Sequence, residues 1–299
     1  METLDGKVAL ISGAVSGIGL GIAKAFVDRG VKVALGYRRE DHRDQAMRYF
    51  ARRPDAEVLP VKLDVTDRAE WERAADQTEA RFGKLHILVN NAGTTFPGTI
   101  DQATPSDWEW IMQVNFYGVV HGVSACIPRI RRHGEGGHIV NVSSMAAYLP
   151  AGEVGLYSTS KFAVRGLTAS LQPALAADNI GVSELAPGLT RSNIHHAAEK
   201  RPARYGDTQF KPDTDFTRAF GEIMRHGMDP DEVGRKTIAG ILANQPVIFS
   251  HPEFREELRE MGDALVAAFP DEAVPPERLA IEERRRASAT EGGTLVRND

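Results

Sequence analysis

Short, wholly apolar runs alternate with longer stretches of helical periodicity along roughly the first 190 positions. Val8-Ala9-Leu10-Ile11 stops at Ser12-Gly13, and Ala14-Val15-Ser16-Gly17-Ile18-Gly19 then leads into an apolar-periodic segment lasting to Val27. That order predicts a strand, a glycine turn and a helix. A second run, Val31-Lys32-Val33-Ala34-Leu35, carries β-branched residues and follows Gly30, so one crossover helix joins two strands. The unit then repeats. Helices are predicted over 39–52, 68–81, 105–132 and about 154–177, with strands over 58–63, 85–89, 138–142, 181–185 and 246–249. Apolar strands separated by helices specify a parallel sheet covered on both faces, a doubly wound α/β fold of about seven strands.

Residues 190–228 break this rhythm with scattered Arg, Lys, Pro, Gly and Asp. An insert of that length in a compact fold is commonly functional, and a lid is expected here. After Ser250, a helix over 252–269 and a charged stretch over 277–286 form a helical extension, and the last dozen residues are polar enough to lack structure. The 299 residues are read as one domain, 1–299, with the lid at about 190–228 and the extension at about 251–299.

A net charge of −5 without a long basic block excludes nucleic acid or an anionic membrane surface as partner, which leaves a small molecule. The single cysteine, Cys126, excludes an intrachain disulfide framework and a cysteine metal site, and no metal is expected. The N-terminal Met1-Glu2-Thr3-Leu4-Asp5-Gly6-Lys7 has no signal pattern, and no apolar segment approaches a bilayer-spanning length, so the expected location is the cytoplasm.

Three patterns carry chemistry. The turn Gly13-x-x-x-Gly17-x-Gly19 lies between strand and helix, where missing side chains admit a pyrophosphate and the helix N-terminus supplies partial positive charge. At the end of the second strand an NAD(H) site commonly has a carboxylate for the ribose 2′-hydroxyl, but this chain has Gly36-Tyr37-Arg38-Arg39 before its first acid, Glu40. A guanidinium can hold a 2′-phosphate through paired hydrogen bonds. The expected cofactor is therefore NADP(H) rather than NAD(H), with Arg38 as main contact and Arg39 or Arg43 beside it. Finally, Tyr157 and Lys161 stand four apart at a helix start and share one face. A phenol with an ordinary pKa of about 10 is a poor acid or base at neutral pH, and a nearby ammonium favours its ionised form.

Together these residues resemble the short-chain dehydrogenase/reductases. Ser12-Gly13-x-x-Ser16-Gly17-Ile18-Gly19 is similar to the family's cofactor turn, Asp64-Val65 to its adenine contact, Asn90-Asn91-Ala92-Gly93 to its fourth-strand signature and Pro187-Gly188 to the turn after its sixth strand. Asn115, Ser144, Tyr157 and Lys161 match its catalytic residues, with Ser144 thirteen positions before Tyr157. The resemblance covers about residues 5–193 and 230–250 and implies a Rossmann-type fold that moves hydride between a nicotinamide and a carbinol or carbonyl carbon. It further implies Tyr157 as general acid/base, Ser144 as donor to the substrate oxygen, Lys161 lowering the tyrosine pKa and binding the nicotinamide ribose, and Asn115 holding a relay water. Ser192 is expected to contact the nicotinamide amide, because Leu189-Thr190-Arg191-Ser192 replaces the family's usual valine and threonine. A homodimer or homotetramer through the two long helices is also implied.

About residues 190–270 resemble the subgroup containing the Cα-dehydrogenases of lignin-derived β-aryl ethers, with Arg201-Pro202-Ala203-Arg204-Tyr205-Gly206 and His251-Pro252-Glu253-Phe254 among the matching stretches. That subgroup implies NAD(H), whereas the arginines point to NADP(H). The expected substrate is a secondary alcohol or ketone with bulky aryl or alicyclic substituents, and Phe96, Tyr148, Leu149, Tyr205, Phe210 and Phe216 are candidates to line its pocket. A 3-oxoacyl or steroid reductase and the NAD-dependent Cα-dehydrogenase remain alternatives. A non-catalytic nucleotide sensor is disfavoured because both Tyr157 and Lys161 are kept.

Overall fold

The computed structural model describes residues 3–95, 98–192, 194, 197, 201–206 and 214–291. Its centre is a sheet of seven parallel strands: β1 (Val8–Ile11), β2 (Lys32–Tyr37), β3 (Val58–Lys62), β4 (Ile87–Asn90), β5 (Gly137–Val142), β6 (Ile180–Ala186) and β7 (Val247–Phe249), in the order β3-β2-β1-β4-β5-β6-β7. This is the expected doubly wound, Rossmann-type arrangement. Successive side chains of β1 leave on opposite faces, which is why the strand must be apolar throughout. Ala9 and Ile11 pack with Ile22 and Phe26 of helix α1 (Gly17–Val27), while Leu10 packs with Trp71 of α3 (Arg68–Phe82) and Val123 of α5 (Gly118–Arg132).

Other elements agree with the pattern to within a few residues: α2 (Glu40–Phe50), α6 (Gly155–Leu175) and, in the extension, α9 (Arg255–Ala267) and α10 (Pro276–Glu291). The helix expected over 105–132 is instead α4 (Pro105–Met112), a π turn (Gln113–Tyr117) and α5, with the Gly118 N–H bonded to the Gln113 carbonyl. The extra residue of a π turn rotates α5 relative to α4. Two glycines then let α5 lie close to its neighbours: a Cβ at Gly118 would stand 2.9 Å from Val65, and one at Gly122 would stand 2.2 Å from Asn90 Oδ1.

Two helices lie outside the expected set: α7 (Thr214–Arg225) inside the insert, and α8 (Pro230–Leu242) after it. The second has a legible start, since Asp229 caps the Asp231 N–H and Pro230 occupies the first turn. The insert is clasped at its base, where Thr190 bridges Met228 and the Met228 N–H reaches the Leu189 carbonyl at 2.8 Å. Its 201–206 segment is pinned to α4 by Arg201, which pairs with the buried Asp107 and donates to the Tyr205 carbonyl at 2.8 Å. No described helix is long and apolar enough to cross a membrane.

Helices α1 and α8 cross backbone to backbone: a Cβ at Gly234 would stand 2.3 Å from the Gly21 carbonyl oxygen, and one at Gly21 would stand 2.0 Å from that of Pro230. Neither neighbour can rotate away. Gly234→Val is expected to lower stability by about 3 kcal/mol through overpacking, read as a fall in the urea midpoint.

Candidate active site

In a parallel sheet the loops at the carboxyl ends of the strands gather on one edge, and here they surround a cavity of about 590 Å³. Of the residues expected to act in catalysis or to hold the cofactor, all line it except Ser12, Gly19, Tyr37, Arg43 and Asn115. Ser12 Oγ accepts the N–H groups of Asn91 (3.0 Å) and Ala92 (3.1 Å), tying the loop after β1 to the loop after β4. Gly19 lies under the turn, where a Cβ would come 2.3 Å from the Gly13 carbonyl oxygen.

The glycine turn has the shape an anion needs. Gly13 and Gly17 have φ of 64° and 50°, and Asn91 Nδ2 holds the Ser12 and Gly13 carbonyls at 3.0 and 3.1 Å. Gly17 and Ile18 begin α1 on the cavity wall, and Ser16 at the N-cap makes no side-chain bond to their amides. Those donors suit a pyrophosphate. Ser192 packs against this turn, 3.4 Å from where a Gly17 Cβ would be.

Beyond the end of β2, Arg38, Arg39 and His42 line the cavity, and His42 carried no signal in the sequence. Arg39 is engaged by Asp41 at 2.6 Å, and Arg43 by Asp44 at 2.7 Å and the Tyr37 hydroxyl at 3.3 Å. Tyr37 stands behind them, its ring between Arg43 and Lys62 at 5.3 and 5.4 Å. Arg38 has no side-chain partner among the described residues, while Lys62 fixes its backbone carbonyl at 2.7 Å. Asp64 lines the same end and accepts from Thr66 at 2.8 Å.

Tyr157, Ser144 and Lys161 meet at the ends of β5 and α6. Burial pushes the Tyr157 phenol above its ordinary value, and a hydrogen bond with Ser144 pulls it back. Lys161 does not bond the phenol: Nζ donates to the Val142 carbonyl at 2.9 Å and lies 5.6 Å from the centre of the tyrosine ring. Desolvation lowers this lysine to about 8, and Glu184, a residue that no motif in the chain marks out, raises it. Ser144 is therefore the side chain that lowers the phenol, and Lys161 stands beside the ring without bonding it.

Asn115 is wholly buried in the π turn and its amide is occupied: Nδ2 donates to the Thr94 carbonyl and to Ser160 Oγ, both at 2.9 Å, and Oδ1 accepts the Thr94 N–H at 2.8 Å. Ser160 in turn donates to the Tyr157 carbonyl at 2.7 Å. The asparagine side chain staples the loop after β4 to the first turn of α6.

The far end of the cavity, under β6 and β7, is apolar. Leu149 lines it as expected, with Ile194, Phe220 and Met224 of the insert and Phe254 of the extension. Two of the expected pocket residues are elsewhere. Tyr148 points away to Glu184 at 2.8 Å, and Tyr205 is packed in the core beneath α4. Phe96, Phe210 and the side chain of Phe216 lie outside the described residues.

His86, His133 and Glu135 form a trio of possible metal ligands at the opposite edge of the sheet. Each ring's Nδ1 accepts a backbone N–H, from Val8 at 3.2 Å and Glu135 at 3.1 Å, so the lone pair a cation would need is engaged.

Comparison with known proteins bears on this geometry. A C alpha-dehydrogenase from Sphingobium sp. is 32% identical, over 97% of this chain and 93% of its own length. Among solved structures, a short-chain dehydrogenase from Novosphingobium aromaticivorans superposes with a TM-score of 0.84 at 36% identity, covering 98% of both chains. A short chain dehydrogenase/reductase from Burkholderia phymatum, solved in complex with NAD, gives 0.84 at 30% identity, covering 92% of this chain and all of its own. The family model for short chain dehydrogenases matches residues 7–203, which carry the glycine turn, Ser144, Tyr157 and Lys161, and the chain belongs to that family of nicotinamide-dependent oxidoreductases acting on alcohols.

Proposed function

We propose that the protein moves hydride between NADP(H) and a bulky secondary alcohol or ketone with aryl or alicyclic substituents, Tyr157 serving as general acid/base. The carrying observation is that Tyr157, Ser144 and Lys161 line one cavity that is basic under β2 and apolar under β6 and β7, with Ser144 acting to lower the phenol. Strand order separates those ends, which suits a nucleotide at one and a large apolar substituent at the other.

The glycine turn and the first amides of α1 suit the pyrophosphate, Asp64 and Val65 the adenine end, Arg38 the 2′-phosphate, and Lys161 with Pro187, Gly188 and Ser192 the nicotinamide end. The cofactor, when bound, gives or takes the hydride. Tyr157 takes the hydroxyl proton of an alcohol or returns it to a ketone, and Ser144 donates to the same oxygen as charge develops. Phe220 and Met224, on the cavity side of α7, exclude water from that step, which is the work of a lid.

A second reading, an NAD(H)-dependent Cα-dehydrogenase of lignin-type aryl ethers, is favoured by the full-length likeness to the Sphingobium enzyme. Arg38, which has no carboxylate partner among the described residues, favours NADP(H).

The chain is read as a single domain, with 190–228 as lid and 251–299 as extension. Cys126 is buried and its thiol is raised to about 12, an inert group compatible with a reducing cytoplasm. Tyr117 and Phe162 are exposed on the π turn and on α6, and they support a homodimer or homotetramer through those helices.

Tyr157→Phe is expected to reduce turnover by about 100-fold or more on a panel of aryl and alicyclic ketones, with cofactor binding retained; undiminished turnover would remove the general acid/base. Arg38→Asp is expected to raise the KM for NADP(H) by about 30-fold or more while sparing NAD(H). If NADP(H) affinity survives, the 2′-phosphate contact lies elsewhere. Phe162→Asp should shift sedimentation toward the monomer.

A further inference from the structure

Glu184 lies on β6 in register with Asn141 of β5, and it is 2% exposed. A buried carboxylate must be paired or hydrogen-bonded, and this one is hydrogen-bonded through both oxygens. One oxygen accepts from Ser143 Oγ; the other accepts from the Tyr148 hydroxyl at 2.8 Å. Arg165 caps that tyrosine, with its guanidinium carbon 3.8 Å from the ring centre and Nη1 donating to the Ala147 carbonyl at 3.0 Å. Arg165 and Lys161 are one turn apart on α6. Burial raises the Glu184 carboxyl above its ordinary value, and the bonds from Ser143 and Tyr148 and the charges of Arg165 and Lys161 oppose that rise.

Each connection leads to the catalytic group. Ser143 immediately precedes Ser144, the side chain that lowers the Tyr157 phenol. Lys161, whose Nζ has only the Val142 carbonyl as hydrogen-bond partner among the described residues, has Glu184 as the acid whose charge opposes its desolvation. The groups facing the carboxylate are thus Lys161 and Arg165 from α6 and Ser143 and Tyr148 from the loop after β5; none is an acid that would compete for the lysine.

We propose that Glu184 is a positioning residue of the catalytic group: its carboxylate keeps Lys161 as an ammonium and, through Ser143, fixes Ser144 under the Tyr157 hydroxyl. This rests on the general acid/base reading of Tyr157, but it can be tested without turnover.

Glu184→Gln keeps shape and hydrogen-bonding capacity and removes the charge. In the full-length protein with isotopically labelled lysine side chains, assigned with Lys161→Ala, the Lys161 signal should titrate near 8 in the parent and about one pH unit lower in Glu184→Gln. The sign follows from losing an anion that favours the ammonium. The alkaline limb of kcat should move the same way, and Glu184→Asp should restore part of the shift. An unchanged Lys161 titration would overturn the proposal. If Glu184→Gln does not fold, the Glu184 carboxyl carbon signal of the parent decides: it should report an anion at pH 7, and a neutral acid there would equally overturn the proposal. If Tyr157→Phe kept full turnover, the general acid/base reading would fail while the lysine titration still judged Glu184.

Discussion

A positive charge buried at the end of β5 organises the functional half of this molecule. Lys161 is 4% exposed, and an ammonium at that depth survives only with a fixed acceptor and a compensating charge. The acceptor is the Val142 carbonyl, which exists at that place because β5 stops there while α6 runs back across the sheet. In the proposal above, the compensating charge is that of Glu184 on the neighbouring strand, which raises the lysine against its desolvation. With the lysine placed, the residue one turn earlier on α6 faces the same cavity, and that residue is Tyr157.

The rest of the site is arranged so that this corner cannot drift. Asn115 joins the loop after β4 to the first turn of α6 through Thr94 and Ser160. Ser12 and Asn91 hold the loops after β1 and β4 against each other. His251, buried after β7, accepts the Gly188 N–H at 3.0 Å and faces the Leu189 carbonyl at 2.9 Å, which steadies the loop from which the insert departs. These are short polar ties between strand ends. Their net worth is modest one by one, and their value lies in fixing geometry where several loops must agree.

Much of the fold was legible because its signals are local. An apolar run such as Val8-Ala9-Leu10-Ile11 has little choice but a strand buried on both faces, and a glycine turn before a periodic segment announces a helix. Ser144, Tyr157, Lys161 and the glycine turn, which the structure brings to one cavity, could be picked out because their spacing resembles a family, with Ser144 thirteen residues before Tyr157. The π turn was not, because Gln113–Tyr117 has ordinary helical residues and nothing in them marks the extra residue. Tyr148 and Tyr205 were misplaced for a related reason: an aromatic near the site looks the same whether its partner is a ligand, a buried acid or the core.

By itself the sequence determined the strand and helix order, the site of the glycine turn, the absence of an acid after β2 and the four-residue step from Tyr157 to Lys161. Those depend on neighbours in the chain or on residue identity alone. The tertiary structure alone decided that Lys161 bonds the Val142 carbonyl rather than the phenol, and that Arg38 is left without an acidic partner among the described residues while Arg39 and Arg43 are engaged. It also decided that the buried Glu184 takes hydrogen bonds from Ser143 and Tyr148. Each of these is a contact between segments far apart in sequence, set by strand order and helix crossing, and neither composition nor periodicity contains that distance.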